Sequence, residues 1–439
     1  MDPSDSSTQD DPSDDERSVR ITGFASGGDG VGRLPDGRVV FVDGGIPGER
    51  VELLDVRTHK RVLRARAGQI VEAGSDRVEP RCAHFGTCGG CRWQHVRYSA
   101  QLDAKRQIVL DALKRIGGIS LEEKIEIVPS PDAYAYRARA RWIESVEGFG
   151  YRVRGSKLPS PVDVCPVLVP SAEAALIARV AARQAQPVAS PPEDGGDGRK
   201  RRRAKEWVVT AGSEGPALVS RSGAGSSARA RREKPESVSI EVGGESLRVS
   251  GESFVQGNAL LWDSLASAVR AECLVDLAGV ATARFVELYA GIGFFTLGLA
   301  REFASGLALE SDRSALADLA FNLRRADLAG RVEILSGRVE TRGDLAARIE
   351  SGDVLLVDPP RMGLDPAVRE AIAAKGPSRV VYVSCDPATL ARDLRELGAA
   401  GYRIASLRAF DLFPQTPHVE SVVRLDRNPS PRIDLDPRE

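Results

Sequence analysis

Cysteine, long apolar runs and net charge are all scarce in this chain, and each scarcity closes off a class of protein. Six cysteines in 439 residues are too few for a secreted scaffold stapled by disulfides, so an intracellular chain with thiols for metal binding or catalysis is expected. No apolar stretch approaches the roughly 20 residues that span a bilayer, and no membrane partner is expected. Residues 1–17 lack the basic start and apolar core of a signal peptide. They carry seven acids (Asp2, Asp5, Asp10, Asp11, Asp14, Asp15, Glu16) against Arg17 and read as an acidic tail that builds no core. A formal net charge of −1 at first argues against a nucleic-acid partner. The tail supplies −6, so the body behind it carries +5, and the objection falls. The expected setting is the cytoplasm, as a monomer.

The 42% hydrophobic content is ample for real cores, and the length suits about three domains. Residues 18–75 read as a small β-barrel of the oligonucleotide-binding kind. Short apolar stretches such as Val39–Val42 and Val51–Leu54 are punctuated by glycine turns at Gly27-Gly28, Gly44-Gly45 and Pro47-Gly48. Arg57, His59, Lys60, Arg61, Arg64 and Arg66 lie between strands, where they either track phosphates or form a solvated face.

Residues 76–280 form a β-rich central region. It opens with Cys82, Cys88 and Cys91, spaced Cys-x5-Cys-Gly-Gly-Cys, and Cys165-Pro166 follows at a distance. Three clustered cysteines and a distant fourth suit an iron–sulfur cluster held by four thiolates, with glycines that let backbone amides approach the sulfurs. A tetrahedral zinc site from the same thiolates is the alternative. Four protein ligands leave no open iron, which favours a structural or RNA-positioning role over redox catalysis. Residues 99–118 predict an amphipathic helix stopped by glycines. Arginines then alternate with Tyr134, Tyr136, Trp142, Phe149 and Tyr151, a pattern that buries the rings if the segment is an ordinary strand and stacks bases if it is not. Residues 186–235, with the run Arg199–Arg203, read as a long insertion, interrupted by a short strand around Trp207–Val209.

From residue 281 to 430 the pattern alternates strand and helix, as in a doubly wound α/β sheet of Rossmann type. Strands are expected at Phe285–Ala290, Gly306–Leu309, Val332–Leu335, Val354–Val357, Val380–Val383 and Val419–Leu425. Gly291 and Gly293 follow the first of these, and Glu310 stands at the tip of the second, a geometry for a ribose-bearing ligand. Thr296 replaces the third glycine of a dinucleotide fingerprint, which disfavours an NAD oxidoreductase. Asp358-Pro359-Pro360-Arg361 and Ser384-Cys385-Asp386-Pro387 each follow a buried strand, so an acid and a thiol reach one rim. Asp-Pro-Pro followed by an aromatic serves methylation of amines; arginine in that place, with a cysteine nearby, points to a carbon acceptor. A thiolate adding to carbon 6 of uracil makes carbon 5 nucleophilic, and a base must then remove the carbon-5 proton. Glu420, after Pro414 and Pro417, is the candidate base. A non-catalytic RNA-binding protein is the competing class.

These motifs resemble the RNA uracil-5-methyltransferase family, across about residues 19–425 except the insertion. The resemblance rests on the four cysteines, Phe254-Val255-Gln256-Gly257-Asn258, the glycine loop, Asp358–Arg361, Ser384–Leu390 and Phe413–Glu420. It implies a Rossmann-like methyltransferase domain behind a TRAM barrel and an iron–sulfur domain. It further implies Cys385 as nucleophile and Glu420 as base. Gln256, Tyr289, Gly291, Gly293, Phe294, Glu310 and Asp358 would contact S-adenosylmethionine or the uracil, and Cys82, Cys88, Cys91 and Cys165 would hold a [4Fe-4S] cluster. Cluster-bearing TRAM members resemble the subgroup acting on 23S ribosomal RNA, with transfer RNA the alternative. Phe294, Arg338 and Asp386 depart from the usual residues, the last putting a carboxylate where the family has Asn.

Overall fold

Glycine turns between short apolar stretches close the first strands into a barrel. The computed structural model describes residues 18–59, 62–121, 125–145, 148–185, 205–222, 236–277, 279–341 and 343–427. Strands β1 (Ser18–Phe24), β2 (Gly30–Arg33), β3 (Val39–Asp43), β4 (Arg50–His59) and β5 (Val62–Glu72) pair in the closed order β1-β2-β3-β5-β4. Val19, Ile21, Val40, Val42, Val51, Leu63 and Ala65 fill the interior. Closure leaves no unpaired edge. At Gly30 a Cβ would lie 2.6 Å from the Gly45 carbonyl oxygen, so only glycine allows the two backbones to meet. Arg64 and Arg66 are exposed and ion-paired with Asp29 and Asp55. Lys60 and Arg61 lie outside the described residues, as does the acidic tail.

The described residues form two compact units. The first holds the barrel and its continuation to Phe85, with Cys91–Ala104 and Gln415–Pro417; the second holds Gly86–Gly90, Lys105–Pro414 and the chain from His418 onward. The helix expected over 99–118 is α1 (Tyr98–Ala112), continued by one wider π-type turn at Leu113–Gly117. It stops where Gly118 takes the left-handed conformation and donates its amide to the Leu113 carbonyl.

In the second unit, β6 (Glu126–Val128) precedes β7 (Arg139–Glu144), β8 (Phe149–Arg152), β9 (Pro159–Pro161), β10 (Lys205–Thr210) and β11 (Leu218–Arg221). The last five form a sheet ordered β11-β10-β7-β8-β9. Tyr136, Trp142, Phe149 and Tyr151 are buried, so the alternation is that of plain strands and those rings belong to the core. Residues 205–222, within the expected insertion, are hairpin rather than loop, because Trp207–Thr210 pair with Leu218–Arg221. The flanks 186–204 and 223–235, with the run Arg199–Arg203, lie outside the described residues.

Helix α2 (Pro170–Gln184), hairpin β12 (Ser237–Val242) and β13 (Glu245–Ser250), and helix α3 (Trp262–Leu274) lead to the main sheet. Its strands are β14 (Arg284–Leu288), β15 (Ser305–Glu310), β16 (Val332–Ser336), β17 (Val354–Val357), β18 (Arg379–Ser384), β19 (Tyr402–Phe410) and β20 (Glu420–Arg427). Helices α4 (Thr296–Glu302), α5 (Arg313–Arg325), α6 (Leu345–Arg348), α7 (Pro366–Lys375) and α8 (Pro387–Ala399) cross between them. The order is β16-β15-β14-β17-β18-β20-β19-β6, and every expected strand is present. β17 and β18 are buried throughout, as continuous Val/Leu runs in a sheet covered on both faces must be. Among the described residues no helix is long and apolar enough to cross a membrane.

Candidate active site

Strand register sets the rim. Val357 of β17 pairs with Leu288 of β14 on one side and Tyr382 of β18 on the other, so Tyr289, Asp358 and Cys385 emerge at neighbouring strand ends. β20 runs antiparallel to β18 with Ser421 opposite Ser384. Glu420, one residue earlier on β20, therefore stands at the end where Cys385 leaves β18.

Burial and mutual repulsion shape the acids gathered there. The Cys385 thiol is pushed up to about 12, first by burial and then by Glu420 and Asp358, with Arg361 opposing. Asp358 is pushed up to about 7 by burial, against the pull of a hydrogen bond that Gln256 Nε2 donates to its Oδ2 at 3.2 Å. Glu420, 2% exposed, is raised well above the usual carboxylate range by burial first and by Asp358 second; again Arg361 opposes. A carboxyl held this way gives up its proton reluctantly, which makes its ionised form a strong base.

The cofactor half lies at the ends of β14 and β15. Tyr289, Gly291 and Gly293 all have positive φ, of 66°, 58° and 91°. At Gly293 a Cβ would fall 2.8 Å from the side chains of Leu297 and Leu319. The loop is strapped from behind by buried Asn322, whose Nδ2 donates to the Ile292 carbonyl at 3.0 Å. Glu310 Oε2 accepts the Gly291 amide at 2.8 Å, and its Oε1 accepts the amides of Ser311 and Asp312 at 2.6 Å. Phe294 packs its ring edgewise on Phe295 at 5.0 Å, and Thr296, where a third glycine was lacking, is buried at the start of α4.

Gln256 is fixed by Trp262, whose Nε1 donates to its carbonyl at 2.8 Å. Beside it Phe254 is 62% exposed, an unusual position for a large aromatic ring. Asn258 ties this segment to the Ser130 hydroxyl at 3.0 Å and to the Asp411 carbonyl.

Two residues of the site had no assigned role in the sequence. Arg361 is exposed at the rim and is the cation that counteracts burial at both Cys385 and Glu420. Its Nη2 lies 3.4 Å from His418 Nε2. His418 is pushed down to about 4 by burial first, then by Arg361, Lys105 and Arg137, so its imidazole is neutral near pH 7. Both stand inside quoted motifs; the signal was their place next to the acid and the base. Asp386 keeps the turn intact despite its charge, since its carboxylate caps α8 by accepting the amides of Ala388 and Thr389 at 3.0 and 2.9 Å.

Of the four cysteines, Cys82 and Cys91 belong to the first unit and Cys88 and Cys165 to the second. Among the described residues no disulfide joins any cysteine, and no three His, Cys, Asp or Glu side chains converge as a metal-binding group. The Gly90 amide donates to Cys88 Sγ at 3.4 Å, and the Tyr151 hydroxyl donates to Cys165 Sγ at 3.4 Å.

Comparison with known proteins defines the class. Residues 345–428 match the tRNA (Uracil-5-)-methyltransferase family and residues 15–67 the TRAM domain. The crystal structure of the Pyrococcus abyssi tRNA (uracil-54, C5)-methyltransferase with S-adenosyl-L-homocysteine covers 93% of this chain and 100% of its own, with a TM-score of 0.69 at 24% identity. The fold is thus a methyltransferase fold with an N-terminal TRAM barrel. The 23S rRNA (uracil(1939)-C(5))-methyltransferase RlmD of Halomonas elongata is 32% identical over 96% of this chain and 91% of its own. That of Chromohalobacter salexigens is 34% identical over 93% and 89%, and an uncharacterised RNA methyltransferase of Gloeobacter violaceus is 32% identical over 93% and 96%. The chain belongs to the RNA uracil-5-methyltransferase family.

Proposed function

We propose that this protein transfers a methyl group from S-adenosylmethionine to carbon 5 of one uridine in a structured RNA, with 23S ribosomal RNA as the target. The observation that carries the reading is the Ser384–Ser421 register, which puts a half-buried thiol and a buried carboxylate at one strand end beside Asp358. Cys385, as thiolate, adds to carbon 6 and leaves an enolate. Carbon 5 then takes the sulfonium methyl and the thioether leaves. Glu420 removes the carbon-5 proton, and the returning electrons expel the Cys385 thiolate. Asp358, braced by Gln256, orients the uracil edge, while Glu310 exchanges its backbone amides for ribose hydroxyls. Tyr289, Gly291, Gly293 and Phe294 line the donor. Exposed Phe254 offers a ring on which a base can stack, and arginines of the TRAM barrel offer phosphate contacts.

Cys82, Cys88, Cys91 and Cys165 are proposed as thiolate ligands of a [4Fe-4S] cluster with a structural role. The donor set suits it: four thiols outside disulfides, two of them already accepting N–H or O–H donors as cluster sulfurs do. Transfer RNA is the second target to test, because the match over residues 345–428 is to the tRNA (Uracil-5-)-methyltransferase family.

The test incubates total RNA lacking 5-methyluridine with labelled S-adenosylmethionine and either wild type or Glu420→Gln. Wild type is expected to leave label as 5-methyluridine in 23S rRNA, and Glu420→Gln to remain covalently attached to the same RNA. Absence of both label and adduct would defeat the proposal in favour of an RNA-binding protein.

A further inference from the structure

Among the described residues, the charges acting on Cys385 are three acids and one exposed cation. Glu420 from β20, Asp358 from the end of β17 and Asp386 from the start of α8 each disfavour the Cys385 thiolate; Arg361 favours it. The arginine side chain is exposed, and a long flexible side chain in water holds no fixed place unless its backbone is anchored. That anchor is present and comes mostly from one element, with Arg369 of α7 also donating to the Leu364 carbonyl. On α8, the helix that begins directly after Cys385, the Thr389 Oγ1 hydroxyl lies 3.2 Å from the Arg361 carbonyl and shares its one proton between it and the Asp386 carbonyl and carboxylate at the same distance. Arg392 Nη2 donates to the Met362 carbonyl at 2.9 Å, and buried Asp393 Oδ2 accepts the Leu364 amide at 2.8 Å. Tyr382 of β18 donates its hydroxyl to the same Asp393 oxygen at 2.8 Å. Gly363 turns the loop with a φ of 73°, and a Cβ there would meet Asp393 Oδ2 at 2.6 Å and Arg392 Nη2 at 2.7 Å.

Resting on the uracil methylation reading, we propose that Thr389, Arg392 and Asp393 are positioning residues that hold the Arg361 loop at the rim, beside the start of the helix that follows Cys385, and so set how readily the nucleophilic thiolate forms. Nucleophile and counter-cation are thereby mounted on one helix: Cys385 precedes its first turn, and its next two turns grip the loop that carries the arginine. Loosening the grip lets the already exposed Arg361 drift away from the thiol, where distance and intervening water weaken its charge. The thiol then needs a higher pH to ionise. At a fixed pH below its midpoint, about tenfold less thiolate forms for every pH unit by which that midpoint climbs.

The test reads covalent adduct formation on 23S rRNA transcribed with 5-fluorouridine, a tRNA transcript made the same way beside it, both with S-adenosylmethionine. After methyl transfer the fluorine on carbon 5 cannot be removed as a proton, so the adduct persists and its rate reports thiolate attack and transfer without Glu420 deprotonation. Rates are followed from about pH 6 to about pH 9, with donor affinity measured by calorimetry. Thr389→Val and Asp393→Asn are expected to lose roughly tenfold in rate throughout this range, which lies below the thiol's midpoint, with unchanged donor affinity; Thr389→Ser should behave as wild type. Arg361→Met should lose as much, and adding Thr389→Val to it should lose no more, since the clamp acts only through the arginine. A Thr389→Ser loss as large as that of Thr389→Val, loss of donor binding in step, or an additive double variant would overturn the clamp. Wild type that forms adduct while the variants keep its profile overturns the clamp alone; wild type that forms none on either transcript overturns the methylation reading on which it rests.

Discussion

Ser384 of β18 lies directly opposite Ser421 of β20, and that one pair sets which side chains share the strand end. An antiparallel strand turns sequence order around, so the residue after Ser384 and the residue before Ser421 meet at the same end. Those are Cys385 and Glu420. A slip by one residue would also flip Glu420 to the other face of the sheet.

Within the glycine loop, Gly293 is the position where a side chain is crowded. Gly293→Ala would add a Cβ 2.8 Å from Leu297 and Leu319 at a φ of 91°, a conformation that costs a non-glycine residue about 1–3 kcal/mol. Calorimetry is expected to show donor affinity weakened by at least about tenfold, while the adjacent sheet stays folded by circular dichroism. Unchanged affinity would place the donor elsewhere.

Lys105 and Asp411 form a fully buried ion pair, and Lys105 also donates to the Phe413 carbonyl at 3.0 Å. Burial pulls the lysine down while Asp411 holds it up. Lys105→Met removes one partner and strands the other, which typically costs about 3–5 kcal/mol. Urea melts should show that loss; Lys105→Met/Asp411→Leu should recover most of it.

Asp358 gives the stability a pH dependence of defined sign. Its carboxyl sits at about 7 in the folded chain against 3.8 when unperturbed. A group raised on folding contributes stability below its unfolded value and loses that contribution as pH rises through the folded one. Without RNA, Asp358→Asn should therefore melt higher than wild type at about pH 8 and no higher at about pH 4. A difference independent of pH would show that the carboxyl is not strained by burial.

Replacing Cys88 or Cys165 by Ser tests the cluster. Anaerobically purified wild type should carry iron and sulfide with the broad visible absorption of a [4Fe-4S] centre, and each variant should lose it. Zinc instead of iron in wild type would decide for the tetrahedral alternative.

Much of this protein is local in its sequence. The Val-rich runs of β17 and β18, the glycine turns of the barrel and the Gly291–Gly293 loop each follow from side-chain pattern and backbone freedom over a few residues, which is why barrel, sheet and glycine loop were legible. The rings of Tyr136 and Trp142 left two readings open, because alternation alone does not say which face is covered; their burial in the folded chain decided it. Asp358, Cys385 and Glu420 could be nominated from their motifs. The value of each as acid, thiol or base could not, since burial and neighbouring charge are set by strands up to 62 residues apart that the antiparallel register brings together. Arg361 is the plainest case. In the sequence it is one arginine after two prolines, and only the tertiary structure, by folding α8 against its loop, puts it where its charge reaches the thiol.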